Sequence, residues 1–308
     1  MTLVKIFPGK GTQGLAEKIA HAYDYPLGAI TSQKFSDGEI HVSYNESIRG
    51  CEVFLIQSTA PPAENILELL LMIDAARRAS AKYVTVVVPY FGYARQDRKD
   101  KARVSIAAKL IANLLSAAGA DRLMTMDLHA GQIQGFFDIP VDHLDASAIF
   151  VPYLKSKNLK NLVFASPDVG GSARARSYAK FFNADIVICD KQRKRANEIA
   201  SMQVIGDVEG KNVVLVDDMI DTAGTISKAA DLIKEKGAAS VRAFCAHGIL
   251  SGKAYETIES SVLEEVVITD SIPQKHQHEK IKVLSVDELF AKAIRRVHSH
   301  ESISELFI

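Results

Sequence analysis

The chain has 308 residues, 47% of them apolar, and its 37 Lys plus Arg are balanced by 37 Asp plus Glu. That apolar content supplies a sizeable core, and at roughly 150 residues per domain the length predicts about two domains and excludes a disordered or fibrous chain. With a formal net charge of zero there is no long-range basic field to gather nucleic acid or an anionic membrane, so neither is an expected partner and an anionic ligand has to be held by local charge.

The opening MTLVKIFPGKG carries one short apolar run before Pro8, too short for a signal peptide or a membrane span. Cys51, Cys189 and Cys245 lie far apart without CxxC spacing, which argues against a disulfide framework or a cysteine zinc site and leads to the expectation of a reducing cytoplasm.

Short β-branched runs alternate with helical patterns from end to end, the signature of mostly parallel sheets flanked by helices, so the fold class is α/β. In chain order the predicted strands are Leu3 to Phe7, Val53 to Gln57, Val84 to Pro89, Leu123 to Asp127, Leu162 to Ser166, Ile186 to Cys189, Val213 to Asp217, Val241 to Ala246 and Val266 to Thr269. Most are apolar on both faces, as buried parallel strands are. Between them, Ile66, Leu69, Leu70 and Ile73 form one helical apolar face and Ile106, Leu110, Ile111, Leu114 and Leu115 a second, both predicted to pack in the core. The pattern restarts after a loop at Asp138 to His143, which places a domain boundary near residue 145, and both halves run strand, loop, helix.

Several loops carry chemistry-bearing side chains. Gly9, Gly11 and Gly14 satisfy GxGxxG between a strand and a helix, with Asp37 following, a weak dinucleotide signature. Ser36, Asp37 and Gly38 read alone as a turn. Arg95, Gln96, Asp97 and Lys99 follow a buried strand, and arginine there suits bidentate contact with phosphate, although the neighbouring charges read as a solvated loop. His129 follows the strand ending at Asp127, and Asp168 follows the strand ending at Ser166. Asp190 to Arg195 is a run of charge that reads as solvated, with Lys191 and Arg193 able to neutralise a transferring anion on closure.

The most informative segment is Val213 to Val216 running into Asp217, Asp218, Met219, Ile220, Asp221, Thr222, Ala223, Gly224 and Thr225, then into a helical pattern at Ile226, Ala230 and Ile233. Ligands of open parallel sheets bind beyond the carboxyl ends of strands, and a helix N-terminus attracts anions, so Thr222 to Thr225 is a candidate phosphate cradle. Two acids beside a phosphate repel it unless they serve sugar hydroxyls or a metal. The alternative is an ordinary helix start capped by Asp221.

That string, VVLVDDMIDTAGT, resembles the phosphoribosyl diphosphate loop of phosphoribosyltransferases and ribose-phosphate diphosphokinases. FSDGEI at 35 to 40, PYFGYARQDRK at 89 to 99, MDLHAGQIQGFF at 126 to 137, SPDVGGSARAR at 166 to 176, DKQRKRAN at 190 to 197 and ESISELF near the C-terminus all resemble the diphosphokinases, across nearly the whole chain. The resemblance implies two phosphoribosyltransferase-like domains, at 1–145 and 146–285, with a C-terminal helix at 286–308 packed on the first. It implies transfer of the diphosphate of MgATP to the 1-hydroxyl of ribose 5-phosphate, in a homo-oligomer, a hexamer, whose ATP site is shared between subunits.

By the same resemblance Phe35, Asp37, Glu39, Arg95, Gln96, Asp97, Lys99 and His129 contact ATP, and His129 and Asp168 bind Mg²⁺. Asp217, Asp218, Asp221, Thr222, Ala223, Gly224 and Thr225 hold ribose 5-phosphate, joined by Arg193, while Lys191 and Arg193 are catalytic. A phosphate or nucleotide regulatory site is expected near Arg49, Ser302 and Ser304. Three positions depart from the family pattern: Ala223 where glycine is frequent, Ser105 where proline is usual, and Asp145 in place of an aromatic residue. Arg174 and Arg176 are read as facing solvent, as are His276, His278, His298 and His300. A catalytically silent regulatory homologue and, from GxGxxG, a dinucleotide dehydrogenase are the rival readings.

Overall fold

The computed structural model describes residues 3–195 and 198–306, with side chains left outside the description between 191 and 202. The chain divides into two compact units, one of Met1–Ala146, Ser271–Pro273 and Ser285–Ile308, the other of Ser147–Asp270 and Gln274–Leu284.

The first unit contains β1 (Val4–Pro8), α1 (Gln13–Tyr23), β2 (Ile30–Lys34), β3 (Ile40–Tyr44), β4 (Glu52–Ile56), α2 (Glu64–Arg78), β5 (Tyr83–Val88), α3 (Ala107–Ala118), β6 (Arg122–Met126) and β7 (Val141–Leu144). Its sheet runs β1-β4-β5-β6-β7, parallel throughout, while β2 and β3 form a separate antiparallel hairpin. Every residue of β4 is buried, as a strand covered on both faces requires. The segment expected to be loop at Asp138 to His143 instead supplies part of β7, which pairs with β6 from Leu123 opposite Val141 to Met126 opposite Leu144.

The second unit contains α4 (Ser147–Ser156), β8 (Leu162–Ser166), α5 (Ser172–Phe182), β9 (Asp185–Arg195), β10 (Glu198–Ile205), β11 (Asn212–Ile220), α6 (Gly224–Glu235), β12 (Ser240–Gly248), α7 (Ala254–Ser260), β13 (Glu265–Thr269) and β14 (Ile281–Leu284). Its sheet runs β10-β9-β8-β11-β12-β13-β14, with β10 antiparallel to β9 and the other pairs parallel. The backbone of the charged run at 190–195 therefore continues as strand where a loop was expected.

The chain then returns to the first unit as α8 (Asp287–His298), which buries Leu289, Phe290, Ala291, Ala293 and Ile294 and packs along α1. Arg295 caps the far end of α1 by donating to the Tyr23 carbonyl at 3.0 Å with its guanidinium over the Tyr23 ring. Nδ1 of His298 lies 2.7 Å from Glu52 Oε2, with both side chains largely buried, so this histidine is a structural partner and not the solvent-facing residue its sequence context suggests. His278 is likewise only half exposed, its Nδ1 accepting from the Lys280 amide at 3.2 Å.

On α2, Ile66, Leu69 and Ile73 are buried as predicted, with Leu70 half-buried. On α3 the prediction holds for Ile111 and Leu115 and fails for Leu110 and Leu114, which are exposed. The inward stripe is Ala107, Ala108, Ile111, Ala112 and Leu115, so small alanines take the core positions and allow close approach to the sheet. All three cysteines are buried free thiols; burial and the Asp168 carboxylate push Cys189 up to about 12, which makes it inert as a nucleophile.

Candidate functional site

In the second unit the site is built where β11 meets α6. The strand is longer than the sequence suggests, so Asp217 and Asp218 lie within it, Asp217 opposite Cys245 of β12. Asp218 is buried, and its amide donates to Asp217 Oδ1 at 2.9 Å. Burial, and then the neighbouring Asp218 carboxylate, push the Asp217 carboxyl well above the ordinary carboxylate range.

Arg174 on α5 opposes that shift, its Nη1 standing 3.2 Å from Asp218 Oδ1 and 3.6 Å from Asp217 Oδ1. The sequence reading put Arg174 in solvent, yet its side chain is only 22% exposed. That reading missed this contact, because a helix-to-strand ion pair leaves no local pattern.

The turn after β11 leads directly into α6. Asp221 accepts a hydrogen bond from Ser251 Oγ, and the Ser251 amide donates to its carbonyl at 2.9 Å. The residue at the helix start is Ala223, at φ 62° and ψ −4°, with no side-chain cap bond. A left-handed residue at this point turns the chain so that Thr222 is exposed and Gly224 opens the helix. A helix N-terminus presents its first-turn amides and the positive end of its dipole to an anion. The dipole contributes about 0.3–1 kcal/mol, and each hydrogen bond to a charged phosphate about 1.5–3 kcal/mol, so the amides and threonine hydroxyls dominate.

Asp168 is exposed beyond β8, its Oδ1 held by the Gly171 amide at 3.0 Å while Ser166 Oγ donates to its carbonyl at 2.6 Å. A methyl at Gly171 would meet Ser166 Oγ at 2.6 Å, so a side chain there would disturb the hydroxyl that donates to the Asp168 carbonyl. Lys191 and Arg193 carry side chains outside the described residues.

In the first unit two strand ends adjoin. Asp127, at φ 41°, donates its amide to the Leu144 carbonyl and accepts from the Ala146 amide, both at 3.0 Å, clipping β6 to the end of β7. His129, two residues on, is exposed. The loop after β5 carries Arg95, Gln96 and Lys99 exposed and Asp97 half-buried, and Gln132 donates to Asp97 Oδ2 at 3.3 Å, tying that loop to the turn that follows His129. Ser105, the departure from proline, donates to Gln96 Oε1 at 3.4 Å. The structure thus brings Arg95 to Lys99 and the His129 segment together at the ends of β5 and β6.

Phe35, Asp37 and Glu39 sit on another element, the tip of the β2–β3 hairpin. Phe35 is 51% exposed with its ring beside His41, Gly38 has φ 96°, and Asp37 Oδ1 accepts from the Glu39 amide at 3.0 Å. The tip is a turn, as its residues read alone, and it presents an aromatic face.

Two other expectations meet different surroundings. Lys10 within the GxGxxG segment donates its amide to Glu68 Oε2 at 3.1 Å, so a buried carboxylate occupies the place a dinucleotide pyrophosphate would need. Arg49 donates to Ser80 Oγ at 3.0 Å, while Ser302 Oγ donates to Ser304 Oγ at 2.9 Å in the C-terminal segment.

The comparisons with known proteins agree in kind. The family model described as the N-terminal domain of ribose phosphate pyrophosphokinase matches residues 4–119, and that of the phosphoribosyl synthetase-associated domain matches residues 187–308. The ribose-phosphate pyrophosphokinase of Porphyromonas gingivalis is 60% identical over 98% of this chain and 97% of its own. That of Campylobacter jejuni is 58% identical over 99% of each. The crystal structure of phosphoribosylpyrophosphate synthetase from Mycobacterium smegmatis is similar at 38% identity with a TM-score of 0.92, covering 97% of this chain and 100% of the other.

Proposed function

The chain belongs to the ribose-phosphate pyrophosphokinase family, and from that premise we propose how its residues carry out the reaction. It is an enzyme that converts ATP and ribose 5-phosphate into 5-phosphoribosyl 1-diphosphate and AMP. The ribose 1-oxygen attacks the β-phosphorus of ATP, the new O1–Pβ bond forms in line with the breaking Pβ–O bond, and AMP leaves with the bridging oxygen. Positioning and charge neutralisation account for most of the acceleration at such a centre.

The observation that carries this reading is the Asp217–Thr225 turn, a pair of carboxylates followed by a left-handed step into a helix start. Thr222 to Thr225 hold the 5-phosphate, and Asp217 and Asp221 accept from the sugar hydroxyls. Asp218, bound to Arg174, lies beside them and supports Asp217. Arg95, Gln96, Asp97, Lys99 and His129 contact the nucleotide. Lys191 neutralises charge on the transferring group, and Arg193 contacts ribose 5-phosphate.

Magnesium fits the donors available. His129 and Asp168, both exposed, are the residues proposed to hold it, and the described residues contain no group of three metal-ligating side chains. Magnesium takes few protein ligands, keeps several waters and completes its shell with substrate phosphates, where it neutralises polyphosphate charge.

The exposed Phe35 tip supports a homo-oligomer, a hexamer, in which the tip packs against adenine bound by a neighbouring subunit. The three buried thiols support a reducing, cytoplasmic setting, and no described helix is long and apolar enough to cross a membrane.

The test is formation of AMP that depends on ribose 5-phosphate. Lys191→Ala is expected to slow turnover by about 10²- to 10³-fold, the scale of losing one electrostatic donor, with the fold retained. Near-normal turnover in that variant removes Lys191 from the mechanism.

A further inference from the structure

The Phe35–Glu39 tip ends the β2–β3 hairpin, and the structure shows which contacts hold that hairpin. At its base the hairpin is secured by Tyr44 Oη donating to the Met72 carbonyl at 2.8 Å and by Asn45 Nδ2 donating to Thr31 Oγ1 at 2.7 Å. Nearer the tip it stands off from α2 over a cavity of about 150 Å³, bordered by Lys10, Ser32, Lys34, Ile40, Glu64 and Glu68.

Two polar links bridge α2 and the hairpin there. Lys34 and Glu64, 3.5 Å apart, are each half exposed, and such a pair restrains little. Ser32 Oγ donates to Glu68 Oε1 at 2.5 Å, and Glu68 is 3% exposed. The second Glu68 oxygen accepts from the Lys10 amide at 3.1 Å and from Gln57 Nε2 at 2.8 Å. Gln57 is fully buried and is oriented in turn by Thr12 Oγ1, which donates to its Oε1 at 3.3 Å.

A carboxylate buried in this way persists because donors surround it, and those donors come from the β1–α1 turn, the end of β4 and the hairpin. It is a rigid post in the sheet's own framework, with the hairpin attached to one face.

We propose that Glu68, acting through Ser32, is a positioning residue for the nucleotide: it sets the angle at which the Phe35–Glu39 tip is presented to adenine. The inference rests on the reading above that this tip contacts ATP. From Ser32 the strand runs through Gln33 to its end at Lys34, and Phe35 comes next, so a change of strand angle at Ser32 is carried to the tip.

Three variants test it. Ser32→Ala removes the tie without touching the post; the KM for ATP is expected to rise about 10-fold, the scale of losing a hydrogen bond to a charged group, with kcat and the KM for ribose 5-phosphate within about twofold. Ser32→Thr keeps the hydroxyl, its extra methyl fits the adjoining cavity, and it is expected to restore the KM for ATP. Phe35→Ala examines the underlying reading and is expected to raise the KM for ATP as well. A Ser32→Ala variant with an unchanged KM for ATP, while Phe35→Ala is impaired, overturns the tether alone. A Ser32→Ala variant that loses kcat and both substrates' affinity in step with its melting temperature shows a purely structural bond and also overturns it. An unimpaired Phe35→Ala overturns the nucleotide reading of the tip, and the tether with it.

Discussion

Arg174 and Asp218 form an ion pair at 3.2 Å between α5 and the buried end of β11, and the same guanidinium lies 3.6 Å from Asp217. Two adjacent carboxylates at a strand end repel each other, and one shared cation from a neighbouring helix offsets part of that repulsion.

Removing that cation is expected to act on ribose 5-phosphate before it acts on ATP. Arg174→Met keeps the length of the aliphatic stem and deletes the charge that opposes the upward shift of Asp217, so Asp217 holds its proton more firmly and accepts less well from ribose hydroxyls. The KM for ribose 5-phosphate should rise about 10-fold or more, the scale of a charge-assisted hydrogen bond, with the KM for ATP little changed. Steady-state kinetics in each substrate decide it, and equal effects on both would point to general damage.

The raised Asp217 carboxyl also ties the site to stability. A carboxyl whose folded-state pKa lies above its unfolded value leaves the native state holding the extra proton in the window between the two. Stability therefore falls as pH rises from the unfolded value, near ~3.9, through the folded one. Asp217→Asn removes this cost and its amide oxygen can still accept from the Asp218 amide. The ligand-free variant is expected to be more stable than the parent at neutral pH, with a flatter urea midpoint against pH, while losing affinity for ribose 5-phosphate. A variant less stable at neutral pH would contradict the assignment.

Ala223 takes a left-handed conformation at φ 62° while its side chain packs in the core. For a residue with a Cβ this costs roughly 1–2 kcal/mol. Ala223→Gly relieves the strain but loses a buried methyl, about 0.8 kcal/mol, and adds unfolded-chain entropy of about 0.4–1 kcal/mol. The two nearly cancel, so the stability of Ala223→Gly should lie within about 1 kcal/mol of the parent by that reckoning. Ala223→Val, β-branched in a region such residues avoid, should be destabilised by more than about 2 kcal/mol. Urea denaturation of both variants checks it, and a well-tolerated valine would mean that the turn is not held left-handed.

Gly92 governs the loop that carries Arg95 to Lys99. A methyl built there would stand 2.1 Å from the Thr59 carbonyl oxygen, and the Gly92 amide already donates to Thr59 Oγ1 at 2.7 Å. The obstacle is backbone, so the loop has to move. Gly92→Ala is expected to cost about 1–3 kcal/mol of stability and to raise the KM for ATP more than that for ribose 5-phosphate. Unchanged ATP kinetics would separate this loop from the nucleotide.

Much of the fold was legible because strands buried on both faces write themselves as unbroken apolar runs: Val53 to Gln57 and Val84 to Pro89 each match their strands to within a residue at either end. Strands with another chemistry were not. Ile30–Lys34 reads ITSQK and is half exposed, Ile281–Leu284 has exposed central residues, and Val141–Leu144 hides the buried Asp142 that pairs with Arg122 at 2.7 Å. Charge misled in the same way at Arg174, where an ionic side chain on a helix reads as surface until its partner from another element is known. The loop residues of the site were found by resemblance to a family, and for the Asp217–Thr225 turn also by its position between strand and helix. The left-handed Ala223 that shapes the turn is a backbone property that composition does not display.

The claim on which the mechanism stands is that the turn from Asp217 to Thr225 grips ribose 5-phosphate, and backbone amide NMR reads it directly. On adding ribose 5-phosphate with magnesium and a non-hydrolysable ATP analogue, the amide resonances of Thr222, Ala223, Gly224 and Thr225 are expected to shift and saturate. Saturable binding that leaves those four amides unmoved, or no binding at all, would contradict it.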